Sequence, residues 1–131
     1  MGLLDFLEKR SQSLAAARQA REVKRLLVDV YELPNVSHRD VVEFVMTNQT
    51  VLMGWATTYD LTVLYLTCLL DTADKSDPRG RQMAEHWVAA TDRAAKQGAK
   101  ISGRMLQGLL EAARQSYGVG AEEAVEGEPT G

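Results

Sequence analysis

Hydrophobic residues recur at helical spacing along most of this chain, and prolines mark the places where the pattern stops. The three prolines are Pro34, Pro78 and Pro129. The pattern predicts an all-α fold with three helical segments, at about residues 14–33, 37–73 and 78–117. We expect the two long segments to form a long antiparallel helical hairpin, with the N-terminal helix packed alongside. The fold class is therefore a three- to four-helix bundle.

The continuity of the middle segment, residues 37–73, is the open point of this prediction. One alternative is an unbroken helix roughly 55 Å long. The other is a break near Asn48–Thr50 or Gly54, after which the chain folds back into a compact four-helix bundle. A hairpin of unbroken helices leaves more apolar surface for a second molecule to cover than the broken form does.

Two junctions carry good signals for the start of a helix. Ser37 precedes Asp40 by three residues, which is the spacing of a capping box. Asp77 is followed by Pro78, and proline suits the first helical position because its missing N–H is not needed there. We expect helices to begin at both places.

Apolar residues surround the middle segment on nearly every side, which is typical of a helix buried centrally or in a membrane. Residues 51–70 are long enough to cross a bilayer. Asp60 lies in their centre, where insertion costs about 2.5–3.5 kcal/mol. Five threonines also lie between residues 50 and 67. These polar groups favour a central helix outside the membrane, in which Asp60 is a structural residue paired with a cation.

The apolar face of the N-terminal segment changes partway along it. From Ala16 onward the apolar positions lie nearly opposite to those of residues 3–14. Either the helix breaks near Ser11–Ser13, or its two ends contact different partners. The predicted partner-binding residues of this amphipathic segment, residues 1–14, are Leu3, Leu4, Phe6 and Leu7.

Charge alternates in blocks along the chain, although the net charge is only −3. The net charges are +3 for residues 1–25, −6 for 26–77, +4 for 78–104 and −4 for 105–131. On a continuous last helix, four cations form one stripe that is a candidate phosphate-binding site: Arg93, Lys96, Lys100 and Arg104. The alternative is an ordinary solvated face. No aromatic residue lies among these cations, so base stacking is not indicated.

The length of 131 residues suits one domain, which we assign to residues 1–117. Residues 118–131 are acidic and rich in glycine, and we expect a disordered, flexible tail there. Cys68 is the only cysteine, so an intrachain disulfide is impossible, and its apolar neighbours predict a core thiol. The N-terminus does not have the pattern of a secretory signal. Together these features predict a cytoplasmic protein.

Residues with catalytic or metal-binding spacing are scarce. His38 and His86 are too far apart in sequence to suggest a metal pair. Three aspartates spaced by three residues, Asp71, Asp74 and Asp77, do not match the alternate-residue pattern of a calcium loop. We therefore expect no enzyme activity, no cofactor, no metal and no small-molecule substrate.

The function that these observations favour is a non-catalytic helical interaction or assembly subunit. Such a subunit self-associates as a homo-oligomer or docks into a larger protein complex. One alternative is a nucleic-acid-associated subunit that contacts phosphates through the basic stripe. Another is a peripheral membrane protein anchored to the membrane surface by residues 3–14.

Overall fold

The computed structural model describes residues 2–120, and within the first helix it describes the side chains of Leu3 and of Leu14 onward. The described residues form α-helices and contain no strand, which confirms the predicted all-α class. The helices are α1 (Leu3–Asp29), α2 (His38–Val51), α3 (Thr58–Thr72), α4 (Pro78–Lys96) and α5 (Gly103–Tyr117). No helix in this part of the chain is both long and apolar enough to cross a membrane.

Both helix starts that the sequence predicts are confirmed. Ser37 caps α2, and its Oγ accepts a hydrogen bond from the backbone N–H of Asp40 at 3.4 Å. Asp77 caps α4, and its carboxylate accepts from the backbone N–H of Arg79 at 2.9 Å, with Pro78 at the first helical position. Each cap satisfies a backbone donor that has no partner inside the helix.

The prediction of an unbroken helix over residues 37–73 is wrong, and the alternative of a break near Gly54 is confirmed. Helix α2 ends at Val51, and α3 begins only at Thr58. The backbone N–H of Gly54 donates to the carbonyl of Gln49 at 2.8 Å, and that of Met53 donates to the carbonyl of Thr50 at 3.2 Å. These two bonds are those of a Schellman motif, which closes a helix and turns the chain away from its axis.

The last segment is also broken, so the long antiparallel hairpin is wrong. Helix α4 ends at Lys96 because Gly98 adopts a left-handed conformation, with φ of 97°, that reverses the chain. Ser102 then caps α5, with its Oγ accepting from the backbone N–H of Met105 at 3.3 Å. Helix α5 ends at Tyr117, as predicted, and left-handed Gly118 follows it.

The N-terminal helix is continuous, so the break considered near Ser11–Ser13 does not occur. Helix α1 ends at Asp29, earlier than the predicted residue 33. Glu32 has a left-handed φ of 54°, so the helix cannot continue through it. Pro34 also disfavours a helical conformation in the residue before it.

The chain divides into two compact units, Met1–Thr62 and Val63–Gly131. In the first unit α1 packs against α2. Among the side chains that the structure describes, its buried apolar ones are Ala16, Ala20, Val23, Leu27, Tyr31, Val41, Val45, Ala56 and Leu61.

In the second unit α4 packs against α5. Its buried apolar side chains are Val63, Leu66, Leu70, Ala84, Trp87, Ala90, Ala94, Met105, Leu109, Ala112 and Ala113. Two hydrogen bonds join the end of α5 to the end of α3 and the turn after it. Ser116 Oγ donates to the carbonyl of Leu70, and Tyr117 Oη donates to that of Asp74, both at 3.0 Å. Within α4, Gly80 leaves room for the ring of Tyr117.

Three further predictions concern the second unit and the C-terminus. Cys68 is exposed on α3, so its assignment to the core is wrong. Partial burial raises the pKa of the Cys68 thiol, and the nearby Asp71 carboxylate raises it further by a smaller amount. Most of the predicted acidic tail, residues 121–131, lies outside the described residues. The assignment of residues 1–117 to a single domain stays a prediction.

Candidate protein-binding surface

Exposed large apolar side chains concentrate at the end of α2, in the turn that follows it, and on α1. We call them the corner patch: Leu14, Met46, Val51, Met53 and Trp55. Met53 is 89 % exposed and Trp55 is 52 % exposed. Single exposed apolar residues are ordinary on a protein surface, but a concentrated group of them marks a contact site.

A groove of about 520 Å³ lies between α1 and α2 beside these side chains. Its lining is Ala15, Ala16, Gln19, Met46, Gln49, Thr50, Met53 and Gly54. None of these residues is ionisable. The two methionines are unbranched and adaptable, so they can fit an apolar group of irregular shape. The small residues on the opposite wall leave space for such a group.

One polar atom of the groove lacks a partner among the described residues. Gln49 Nε2 donates to Gln19 Oε1 at 2.6 Å and to the carbonyl of Ala56 at 3.3 Å. Gln49 Oε1 is buried and accepts no hydrogen bond from the described part of the chain. A buried acceptor without a donor costs about 1–3 kcal/mol, and because this atom is fully buried it is not open to an occupant of the groove.

Met53 has an unusual backbone for an apolar residue. Its φ of 57° is left-handed, and it takes the position after the helix at which glycine is usual. Its Cβ makes this conformation cost roughly 1–2 kcal/mol. The chain therefore keeps a large exposed side chain at a position where glycine has the least strain.

A reciprocal cap fixes the far end of the turn that carries Trp55. Thr57 Oγ1 accepts from the backbone N–H of Asp60, and Asp60 Oδ2 accepts from the backbone N–H of Thr57, both at 3.0 Å. Asp60 is only 2 % exposed. The capping box thus gives this buried carboxylate a structural part at the start of α3.

The predicted partner-binding residues are only partly within the described side chains. Leu3 is 71 % exposed at the start of α1. The side chains of Leu4, Phe6 and Leu7 lie outside the described residues. Leu14 is exposed and adjoins Ala15 at the groove. Binding of a protein or of a membrane surface by residues 3–14 stays a prediction.

The four cations assigned to a basic stripe do not lie on one helix. Arg93 and Lys96 are in the last turn of α4, Lys100 is in the connection, and Arg104 is in the first turn of α5. All four are exposed at this α4–α5 connection. Lys96 Nζ lies 2.9 Å from Asp92 Oδ2, and this contact raises the pKa of Lys96. A stripe on one helix is wrong because α4 ends at Lys96, while phosphate binding stays a prediction.

A second groove, of about 770 Å³, lies between α4 and α5 and has a more charged lining. It is lined by Arg81, Glu85, Val88, Ala89, Asp92, Leu106, Gln107, Leu110, Glu111, Arg114, Val119 and Gly120. Its ionised groups pair locally: Arg81 with Glu85 at 3.1 Å and Arg114 with Glu111 at 2.9 Å. Any occupant has to lie beside these satisfied ion pairs, which makes this groove the weaker candidate.

Among the side chains that the structure describes, histidine, cysteine and carboxylate groups do not gather into a metal site. Comparisons with protein-family models, with curated proteins and with solved structures give no match to this chain. The corner patch therefore has to be interpreted from its own chemistry.

Sequence reasoning missed the corner patch because it placed Val51 and Trp55 inside a central helix. A signal for the break was present, since Thr57 precedes Asp60 by the same three residues that separate Ser37 from Asp40. A second helix start at Thr57 requires that the preceding residues leave the helix.

Proposed function

We propose that this protein is a non-catalytic helical assembly subunit that binds itself or a larger protein complex through the corner patch. The observation that carries the proposal is the concentration of exposed apolar side chains around an uncharged groove. Such a surface loses ordered water when a second apolar surface covers it, and that release favours association.

The size of the patch supports a protein partner. A large aromatic side chain has about 150–250 Å² of surface. Fully burying a Val, Leu or Met side chain is worth about 1.5–3 kcal/mol, which is roughly 60–120 Å² at about 25 cal/mol per Å². Four such residues and Trp55, between 41 % and 89 % exposed, therefore present on the order of 300 Å² in sum. This sum is at the lower end of the range for the largest apolar patch on a typical monomer, about 300–600 Å², and such patches are often functional.

The chemistry of the groove favours binding over catalysis. General acid–base and nucleophilic mechanisms need a titratable or nucleophilic group in the site. The groove offers two side-chain amides, Gln19 and Gln49, and one hydroxyl, Thr50, among apolar groups. These groups can orient a partner, but they are not suited to move a proton at neutral pH.

The test compares the full chain with a patch variant, Met53→Asp/Trp55→Ser, and a matched control, Val28→Asp. Aspartate tolerates the left-handed backbone at position 53, so the variant should fold. Val28 is exposed on α1 but lies outside the groove lining. Light scattering across a concentration series, with stoichiometric capture from an extract of the source cells, should show association for the wild type and the control only.

Two results would contradict the proposal. One is a wild type that stays monomeric at high concentration and retains no stoichiometric partner. The other is a patch variant that associates as well as the Val28→Asp control does, because the patch would then play no part in binding.

Exposed cations favour phosphate contact at the α4–α5 connection as a second candidate function. Arg93, Lys96, Lys100 and Arg104 are all exposed there. Binding of this kind weakens steeply with salt, because each phosphate contact releases counterions. Charge reversal at Arg93 and Arg104 should abolish nucleic-acid binding at low salt, and unchanged binding would exclude these residues as the site.

A further inference from the structure

We propose that residues 121–131 of this chain lie in the groove between α4 and α5 and bring their glutamates to the cations at the α4–α5 connection. The groove is the one of about 770 Å³ in the second unit. The cations are Arg93, Lys96, Lys100 and Arg104. The contact is made within one chain, so it is independent of the corner patch and of the proposed assembly function.

The first argument is the path of the chain. Gly118, with φ of 70°, closes α5, and the backbone N–H of Val119 donates to the carbonyl of Ala113 at 3.3 Å. This turn directs the chain back along α5. Val119 and Gly120, the last described residues, both line the groove. Residues 121–131 therefore continue from a point inside the groove.

The second argument is the apolar floor of the groove. Val88, Leu106 and Leu110 line it, and each is partly exposed. The first half of the segment contains the apolar residues Ala121, Ala124 and Val125. Covering the floor with these side chains releases ordered water from both surfaces, which favours the contact.

The third argument is the charge of the two ends of the contact. The segment has no cation and four carboxylates, on Glu122, Glu123, Glu126 and Glu128. The stretch from residue 93 to residue 104 has four exposed cations and no acidic residue in its sequence. Opposite charges at such short range attract each other. An external phosphate has to displace the glutamates, so the contact regulates the second candidate function.

The carboxylates that line the groove do not oppose this path, because each of them is paired with a cation. The pairs are Arg81 with Glu85 at 3.1 Å, Arg114 with Glu111 at 2.9 Å and Lys96 with Asp92 at 2.9 Å. The lining is therefore close to neutral, and attraction is strongest beyond Asp92, at the connection.

The fourth argument is length. The start of α4 lies beside the end of α5, and the cations lie at the other end of α4, about 22 Å further along its axis. An extended chain spans about 3.3 Å per residue, so Glu126 lies up to about 20 Å from Gly120, and Glu128 up to about 26 Å. These two glutamates can contact the cations, whereas Glu122 and Glu123 stay nearer the start of the groove.

Carbodiimide cross-linking of the full chain tests the contact, because the reagent joins a carboxylate to a lysine amine beside it. Mass spectrometry should find Glu126 or Glu128 joined to Lys96 or Lys100. Asp92 should also be joined to Lys96, since Asp92 Oδ2 lies 2.9 Å from Lys96 Nζ. That product shows that the reagent reports contacts in this part of the fold.

Lys75 is the internal control for a segment that moves freely. It is exposed and follows Asp74, whose carbonyl accepts from Tyr117 Oη at 3.0 Å, so it lies close to the start of the segment. A freely moving segment would meet Lys75 more often than Lys96 or Lys100. We expect the reverse, with cross-links to Lys96 and Lys100 exceeding those to Lys75 at least about threefold.

Two variants separate the apolar and the charged parts of the contact. Val125→Asn removes the largest apolar side chain of the segment, with Thr130→Asn as its matched control. It should lower the cross-links to Lys96 and Lys100 at least about threefold, and the control should not. Neither substitution adds a carboxylate or an amine, so the reagent's own chemistry is unchanged.

Arg93→Gln/Arg104→Gln removes two cations that do not react with the reagent. The matched control is Arg18→Gln/Arg25→Gln, which removes two exposed cations from α1. The first variant should lower the same cross-links at least about threefold, and the control should leave them unchanged. Circular dichroism of every variant should show the wild-type helix content.

Three outcomes would overturn the inference. One is cross-linking of Lys75 at least as frequent as that of Lys96 and Lys100. Another is a cross-link that joins two chains, which a mixture of isotope-labelled and unlabelled protein reveals, because the occupant would then be a second copy. The third is an unchanged yield for either Val125→Asn or Arg93→Gln/Arg104→Gln. None of these outcomes bears on the corner patch, so the proposed function is tested separately.

Discussion

The substitution Met53→Gly should make the folded chain more stable, although it removes a large apolar side chain. Met53 has a φ of 57° and is 89 % exposed, so its side chain contributes little packing within the chain. Glycine removes a left-handed strain of roughly 1–2 kcal/mol. It also increases the entropy of the unfolded chain, which costs about 0.4–1 kcal/mol. The expected net gain is about 0.5–1 kcal/mol.

Urea unfolding followed by circular dichroism measures this gain. The midpoint should rise with an unchanged slope, since the surface exposed on unfolding stays nearly the same. The measurement should be made at concentrations where the wild type is monomeric, because association of folded chains with one another stabilises the folded state. Met53→Ala is the matched control, since it removes the side chain but keeps a Cβ in the left-handed conformation.

The difference in free energy of unfolding between Met53→Gly and Met53→Ala tests whether the backbone at position 53 is strained. Met53→Gly should exceed Met53→Ala in free energy of unfolding by about 0.5–1 kcal/mol. Equal stabilities would show that the backbone at position 53 is not strained. Both variants should associate more weakly than the wild type, so stability and binding are expected to change in opposite directions for Met53→Gly.

Two further predictions concern the start and the C-terminal part of α3. Asp60→Ala should lower the free energy of unfolding by about 1–2 kcal/mol in urea titrations, because a buried cap is lost. Ser37→Ala should cost less, since that cap is long and exposed; equal losses would contradict this ranking. Asp71→Asn should lower the pKa of Cys68, because it removes a carboxylate that disfavours the thiolate. The pH profile of alkylation should then move to lower pH, and an unmoved profile would exclude Asp71 as a cause.

Local chemistry made part of this fold predictable from the sequence. Ser37 and Asp77 have short polar side chains that satisfy the first donors of a helix, and the structure places helix starts at both. The end of α5 was also predictable, because Gly118 can adopt the left-handed conformation that closes a helix. These signals depend on neighbouring residues only, so no tertiary information is needed.

The breaks at residues 52–57 and 97–102 were harder to predict. A projection that turns each residue by 100° assumes a continuous helix, so one undetected break rotates every later position to a wrong face. The stripe drawn through Arg93 and Arg104 failed for this reason, since α4 ends between them. The break after Val51 was predicted only as an alternative to an unbroken helix, because Met53 occupies the position where glycine would have marked the end of the helix.

The two turns provide an internal comparison that bears on function. Helices α2 and α4 end with the same Schellman hydrogen bonds, yet the left-handed residue is Met53 in one and Gly98 in the other. The turn after α4 exposes the polar residues Gln97 and Lys100, which are ordinary for a turn. The turn after α2 instead exposes Met53 and Trp55. A turn that serves only as a connection has no reason to accept backbone strain together with exposed apolar surface. Sites where a chain departs from its own local rules are commonly functional, and this contrast favours the turn after α2 as the contact surface.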